Sequence, residues 1–140
     1  MEIEVVNGDL FTVSEDFSLA HCISKDCKMG KGIAKIFRNK FGRVDEIKAC
    51  NARVGGVAPL KLCENRYIYN LVTKPCYFCK PTYWALRRSL ETMRDHMERN
   101  DVTKLAMPAI GCGLDGLDWL LAGSLPAISP AGRAPPFPLG

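Results

Sequence analysis

The sequence predicts an α/β fold, in which strands that end in glycine-rich turns alternate with amphipathic helices. Residues 104–107 are a short apolar run typical of a buried strand, and Pro108 and a turn with two glycines follow it. A second glycine-rich loop, at residues 28–32, lies between an apolar run and a helical pattern. Residues 82–99 have the periodicity of a helix that covers a sheet. Ligands of open α/β sheets bind outside the carboxyl ends of the strands, so both loops are candidate binding elements.

The composition is that of one globular domain. The chain has 140 residues, of which 47% are hydrophobic and 24% charged, which allows one domain with a real core. The net charge of +4 suits an anionic small ligand, but no cluster of Lys and Arg indicates direct nucleic-acid binding. The amino terminus lacks a secretory pattern, and no stretch approaches the roughly 18 apolar residues of a membrane span. We therefore expect no membrane association.

The cysteines predict neither a disulfide framework nor a metal site. Seven is an odd count, and with no sign of export we expect reduced intracellular thiols. Cys76 and Cys79 form a C-x-x-C pattern, but zinc sites of this kind need a second ligand pair at metal spacing, which the sequence lacks. We interpret this pattern as a loop with two incidental thiols.

The amino-terminal part predicts two strands that are each followed by a polar residue. Residues 3–6 are rich in β-branched residues and end at a turn signal. Asp9 comes next, and its carboxylate either accepts a hydrogen bond from an exocyclic amine, such as that of adenine, or caps the following turn. Residues 17–23 are the next apolar run, with Ser24 at its end.

The loop that contains Gly30 and Gly32 leads directly into a predicted helix with Gly42 as its C-cap. Four apolar residues fall on one face of that helix, namely Ile33, Ile36, Phe37 and Phe41. The first amides of a helix and its dipole favour an anion, although the loop matches no nucleoside-triphosphate or dinucleotide motif. The alternative is a plain entry turn.

Residues 57–62 and 67–72 predict two strands joined by a hairpin turn, and the second of them leads to Lys74. Lys74 is either a solvated surface charge or a cation or nucleophile in a cleft. In the helix at residues 82–99, an apolar stripe is expected to cover the sheet, whereas Arg87 and the other arginines are expected to be solvated.

The glycine-rich turn after residues 104–107 offers successive main-chain amides that can hold a diphosphate, and Asp115 closes it with a carboxylate. The alternative is a tight turn that only reverses the chain, since two glycines alone are weak evidence. Residues 122–140 contain five prolines and lose all periodicity, so we expect an irregular tail after a domain at residues 1–121.

Six segments together resemble the macrodomain family and, within it, the ADP-ribose protein glycohydrolases. The resemblance covers residues 3–119, and its motifs agree in both order and spacing, whereas each of them alone is weak. The segments are Asn7-Gly8-Asp9-Leu10-Phe11, Ala20-His21-Cys22-Ile23-Ser24, Met29-Gly30-Lys31-Gly32-Ile33-Ala34, Leu71-Val72-Thr73-Lys74, Lys80-Pro81-Thr82-Tyr83 and the stretch from Met107 to Asp115.

The resemblance implies a three-layer α/β/α fold around a mixed sheet, with ADP-ribose bound across the strand ends. Asp9 and Leu10 would meet the adenine, while Ser24, Gly30, Gly32 and Ile33 would lie along the cleft. The diphosphate and the distal ribose would be held by the turn of Ala109, Ile110, Gly111, Cys112, Gly113 and Leu114. Family members continue with a helix and a strand that residues 122–140 do not match, so we expect a C-terminally incomplete and less stable macrodomain.

The resemblance further implies an enzyme that removes ADP-ribose from glutamate or aspartate side chains and deacylates O-acyl-ADP-ribose. Lys74 would be the nucleophile and Asp115 the acid/base, with no metal and no cofactor. The implied partners are ADP-ribose and ADP-ribosylated proteins. The resemblance also implies that the protein is a monomer and that it is located in the nucleus and cytosol. Two alternatives are a non-catalytic ADP-ribose-binding module and a form with impaired folding.

Overall fold

A computed structural model of the chain describes residues 9–108 and the backbone of residues 2–6. The strands are β1 (Glu2–Val6), β2 (Ser18–Ser24), β3 (Val57–Cys63), β4 (Arg66–Lys74) and β5 (Lys104–Pro108). The helices are α1 (Gly32–Phe41), α2 (Val44–Ala49) and α3 (Tyr83–Arg99), and a 3₁₀ turn spans Leu10–Thr12. Each of the predicted strands is present, whereas α2 was not anticipated from the sequence.

The strands form one mixed sheet in the order β1-β5-β2-β4-β3. Among the strands that the structure describes, β1, β5, β2 and β4 run parallel to their neighbours, whereas β3 runs antiparallel to β4, with which it forms the expected hairpin. The carboxyl ends of β1, β5, β2 and β4 therefore meet at one edge of the sheet. At that edge, Ser24 of β2 lies in register with Lys74 of β4.

Helices cover both faces of the sheet, which confirms the three-layer arrangement. On one face, α3 packs on residues of β2, β4 and β5 that include Ala20, Leu71 and Leu105. On the other face, α1 and α2 bring Phe37 and Ile47 against a second cluster. Successive side chains of a strand point to opposite faces, so the central strands supply both clusters.

The third helix matches its predicted periodicity except at one arginine. Thr82 caps it, because its hydroxyl oxygen accepts a hydrogen bond from the Ala85 N–H at 3.1 Å. The stripe is buried as expected at Leu86, Leu90, Met93 and Met97. Arg87 was expected to be solvated, but it is only 5% exposed and pairs with Glu91, with 3.6 Å between Nε and Oε1. The aliphatic part of the Arg87 side chain packs against the protein, while its guanidinium pairs with the Glu91 carboxylate.

Helix α1 ends where Gly42 was expected to end it. Gly42 has a φ of +63° and donates its N–H to the Arg38 carbonyl at 2.9 Å. Phe37 is buried, but Ile36 is 50% exposed and does not belong to the packed face, contrary to the sequence prediction. Residues that are four apart share a helical face, so Ile33, Phe37 and Phe41 face the protein interior together. Ile36 lies to the side of that face.

The cysteine prediction was wrong at one pair. Cys76 and Cys79 are joined by a disulfide, and the short turn between them brings their Cα atoms to 5.3 Å. Cys22, Cys27, Cys50 and Cys63 are not disulfide-bonded. In the part of the chain that the structure describes, no helix has the length and apolar character needed to cross a membrane.

Candidate active site

A cavity of about 310 Å³ opens at the carboxyl edge of the sheet, between the ends of β2 and β4 and the loop before α1. It brings together three of the residues predicted from the sequence, because Ser24, Gly30 and Lys74 all line its wall. Tyr77 and Lys28, which the sequence analysis did not select, lie beside them. The topology explains this meeting, since parallel strands end side by side at this edge.

Lys74 ends β4, and its amine is held at the cavity wall. Its Nζ donates a hydrogen bond to the Tyr77 carbonyl at 3.0 Å. Its own carbonyl accepts a hydrogen bond from the Lys25 N–H at 2.8 Å, which ties the end of β4 to the end of β2. These hydrogen bonds therefore define the positions of both the backbone and the side chain of Lys74.

The loop before α1 has the features of an anion site. Gly32 begins the helix with a φ of +59°, where a side chain would be strained. Within the described chain, the first turn of α1 holds no acidic residue, and the residue at its cap position, Lys31, makes no side-chain capping hydrogen bond. The amides of this turn and the positive end of the helix dipole are therefore available to a negative group.

Asp26 is a site residue that the sequence analysis missed. Its Oδ1 accepts hydrogen bonds from the Ser24 hydroxyl at 2.5 Å and the Lys28 N–H at 3.0 Å. Its Oδ2 accepts one from the Tyr77 N–H at 2.9 Å. Asp26 is exposed, and its slight desolvation raises the pKa, but the hydrogen bonds from Ser24, Lys28 and Tyr77 outweigh this and leave the pKa below its ordinary value. The carboxylate is therefore ionised and joins the loops on both sides of the cavity.

His21 lies in β2, is fully buried and is not among the described residues that line the cavity, so it serves packing rather than proton transfer. Its ring stacks on Phe37 with 3.8 Å between centroids, and its Nε2 lies 2.7 Å from the Asn70 Oδ1. The Asn70 Nδ2 donates to the Ala58 carbonyl, which fixes the amide so that its oxygen faces the histidine. His21 must then carry its proton on Nε2. Burial lowers the pKa of His21 to about 4, although the hydrogen bond to Asn70 opposes this, and the ring is neutral near pH 7.

Four predicted binding residues are not among the described residues that line this cavity. Asp9 caps the 3₁₀ turn, because its Oδ1 accepts a hydrogen bond from the Phe11 N–H at 2.9 Å. Of the two roles predicted for Asp9, the structure thus shows the cap. Leu10 is 1% exposed and packs in the core, and Ile33 is half-buried against the same cluster. Gly32 begins α1 just beyond the cavity wall.

The remaining predicted site residues lie outside the described part of the chain. They are Ala109, Ile110, Gly111, Cys112, Gly113, Leu114 and Asp115, and the predicted tail at residues 122–140 lies outside it as well. The described part ends at Pro108, at the carboxyl end of β5 and thus at the same edge of the sheet as the cavity. No group of three potential metal-ligating side chains occurs between residues 9 and 108.

Comparisons with known proteins agree with this architecture. Residues 20–125 match the family model described as Macro domain. Proteins named ADP-ribose glycohydrolase OARD1 from Bos taurus and Homo sapiens are each 53% identical over 117 residues, covering 84% of this chain and 76% of theirs. The macrodomain of Thermus aquaticus DarG superimposes with a TM-score of 0.69 at 22% identity, covering 86% of this chain and 85% of its own.

A further solved structure, Thermosipho africanus DarTG in complex with ADP-ribose, gives a TM-score of 0.66 at 24% identity. The comparison covers 96% of this chain and 40% of that one. At this level of identity, the likeness shows a shared fold.

Proposed function

This chain belongs to the Macro domain family, and we propose that it is an ADP-ribose glycohydrolase, a hydrolase that releases ADP-ribose from glutamate or aspartate side chains. The observation that carries the proposal is the position of the Lys74 amine. It stands at the wall of a cavity that also contains Ser24 and the glycine loop, at the sheet edge where α/β proteins bind ligands. The relatives that are 53% identical bear the name of this activity.

In the proposed complex, ADP-ribose lies along the carboxyl edge of the sheet. The diphosphate is held by main-chain amides of residues 109–114 and of the loop containing Gly30, and Ser24 contacts the ligand from the end of β2. Asp9 and Leu10 contact the adenine end. Fixed amides orient the distal ribose against Lys74, which removes much of the entropic barrier to attack. The complex of Thermosipho africanus DarTG supports ADP-ribose as a ligand of this fold.

In the proposed reaction, the nitrogen of the Lys74 side chain attacks the anomeric carbon of the distal ribose. A C–N bond forms, the C–O bond to the protein breaks, and the side chain leaves as a carboxylate. Water then cleaves the C–N bond and restores the amine, so that one hard step becomes two easier ones. Asp115 transfers the protons in both steps. We propose that deacylation of O-acyl-ADP-ribose, also an ester of the ribose, takes place in the same cleft, without metal or cofactor.

The test is release of ADP-ribose from a glutamate-ADP-ribosylated protein by the wild type and by Lys74→Ala. Lys80→Ala, an exposed lysine on the following loop, is the matched control. We expect activity in the wild type and the control, activity at background in Lys74→Ala, and a loss of ~10² to 10⁴-fold in Asp115→Asn. An active Lys74→Ala variant would contradict the nucleophilic role.

A second candidate is a binding module that holds ADP-ribose without turnover. The amine of Lys74 is engaged by the Tyr77 carbonyl, and the amides of the loops suffice to hold a pyrophosphate. Tight binding in calorimetry beside no hydrolysis would favour this function. In either case, we propose a monomer that meets ADP-ribosylated proteins in the nucleus and cytosol, as the family resemblance implies.

A further inference from the structure

We propose that Asp26 is a positioning residue of this site, which orients the Ser24 hydroxyl and holds the loop on which the Lys74 amine rests. The proposal rests on the proposed function, since it assigns Lys74 and Ser24 to one reaction. It is carried by the three hydrogen bonds that the Asp26 carboxylate accepts from both sides of the cavity.

Asp26 connects two loops that are far apart in sequence. One carboxylate oxygen binds Ser24 and Lys28 in the loop between β2 and α1, and the other binds Tyr77, which lies 51 residues further along. Its partners are two main-chain amides and one hydroxyl, all of them donors. An ionised carboxylate accepts all three hydrogen bonds at once, whereas an amide or an alcohol in its place cannot.

The link to Tyr77 passes directly to Lys74. The Tyr77 N–H donates a hydrogen bond to Asp26, and the Tyr77 carbonyl accepts one from the Lys74 amine, with 3.0 Å between Nζ and O. A shift of the Tyr77 backbone therefore shifts the resting position of the amine. Misplacement of a reacting group by about 1 Å can lower a rate by ~10²-fold. Asp26 thus acts on the attacking group without touching the substrate.

The link to Ser24 determines which part of a ligand this hydroxyl binds. An ionised Asp26 carries no hydrogen, so the Ser24 hydroxyl must be the donor in their hydrogen bond. Toward the cavity, the Ser24 oxygen then offers only lone pairs. A ribose hydroxyl can donate to it, whereas a phosphate oxygen finds no donor there. We therefore expect a sugar hydroxyl of the substrate, rather than a phosphate, to face Ser24.

Steady-state kinetics of Asp26→Asn test the positioning role. The amide keeps the size of the side chain, but it presents an N–H to one of the three donors. Asp95→Asn, an exposed aspartate in α3, is the control for a lost charge. We expect kcat to fall about tenfold or more in Asp26→Asn and to stay unchanged in Asp95→Asn. Because Asp26 is exposed, we expect Tm to fall by less than about 4 °C.

A double-mutant cycle separates the two links. Ser24→Ala removes only the hydroxyl, and we expect it to raise KM more than it lowers kcat. If Asp26 also holds Lys74 through Tyr77, the variant carrying both substitutions has a lower kcat than Ser24→Ala. A kcat of Asp26→Asn equal to that of the wild type, with wild-type hydrolysis intact, overturns the positioning role.

An NMR measurement keeps this inference distinguishable from the proposed function. Loss of a hydrogen bond to a carboxylate changes the chemical shift of the donor amide, so Asp26→Asn should move the Tyr77 or the Lys28 amide signal most. This outcome does not depend on hydrolysis. An inactive wild type would contradict the proposed function, whereas amide signals unchanged by the substitution would contradict the role of Asp26.

Discussion

Acid should destabilise this protein through His21, a buried ring that has to stay neutral in the folded state. Burial lowers the pKa of His21 to about 4, while a histidine in the unfolded chain titrates near its ordinary 6.5. Between these two values the unfolded state binds more protons than the folded state, so the free energy of unfolding decreases as the pH falls. The decrease is about 2 kcal/mol between pH 7 and pH 5, and roughly 3 kcal/mol once the pH is below 4.

The assay is urea denaturation at a series of pH values for the wild type and for His21→Gln. Glutamine does not titrate, and the carboxylates are the same in both proteins, so the difference between the two unfolding free energies isolates the histidine. Subtraction also removes the packing penalty of the variant, because that penalty does not depend on pH. We expect the advantage of the wild type over His21→Gln to shrink by about 2 kcal/mol from pH 7 to pH 5. A difference that stays constant over that range would refute the buried neutral histidine.

Two further predictions concern the disulfide and the core. Replacing Cys76 and Cys79 with serine should lower the unfolding free energy by about 2 kcal/mol, because the disulfide no longer restricts the entropy of this short loop in the unfolded chain. Dithiothreitol should lower Tm in the wild type and leave the Tm of the serine variant unchanged. An equal response of both proteins to the reductant would argue against the disulfide. Leu90→Ala should cost about 2–5 kcal/mol, because Leu90 is fully buried between α3 and the sheet. Ile36→Ala, at an exposed position of α1, should stay within about 0.5 kcal/mol of the wild type in the same denaturation experiment.

The sequence was informative wherever local chemistry decides the structure. Gly42 ends α1 as expected, and the helix predicted at residues 82–99 begins directly after its cap residue, Thr82, because caps depend on one or two neighbouring residues. The apolar stripe of α3 predicted its buried face for a similar reason. At the candidate site, the strand ends of Ser24 and Lys74 were predicted separately, and the parallel register of β2 and β4 brings them together.

Long-range pairing was not readable from the sequence. Helix α2 spans only six residues, too few for a periodic pattern to be recognised. Arg87 was predicted to be solvated and is buried, and Ile36 was predicted to pack and is exposed. A helical pattern indicates which residues share a face, but it does not indicate which neighbours cover that face. Asp26 was missed because two of its three partners are main-chain amides, one of them on a distant loop, and main-chain donors leave no trace in the sequence.

If the loops at the carboxyl edge of the sheet hold ADP-ribose, this ligand should stabilise the folded chain, and a ligand titration followed by thermal unfolding measures that stabilisation. AMP, which lacks the pyrophosphate and the second ribose, serves as the control ligand. Binding to the folded state alone adds about 2.7 kcal/mol at a hundredfold excess over Kd, which corresponds to a rise in Tm of roughly 5–10 °C. We predict such a rise with ADP-ribose and a much smaller one with AMP. A Tm that does not change across the ADP-ribose titration would contradict binding of ADP-ribose by these loops.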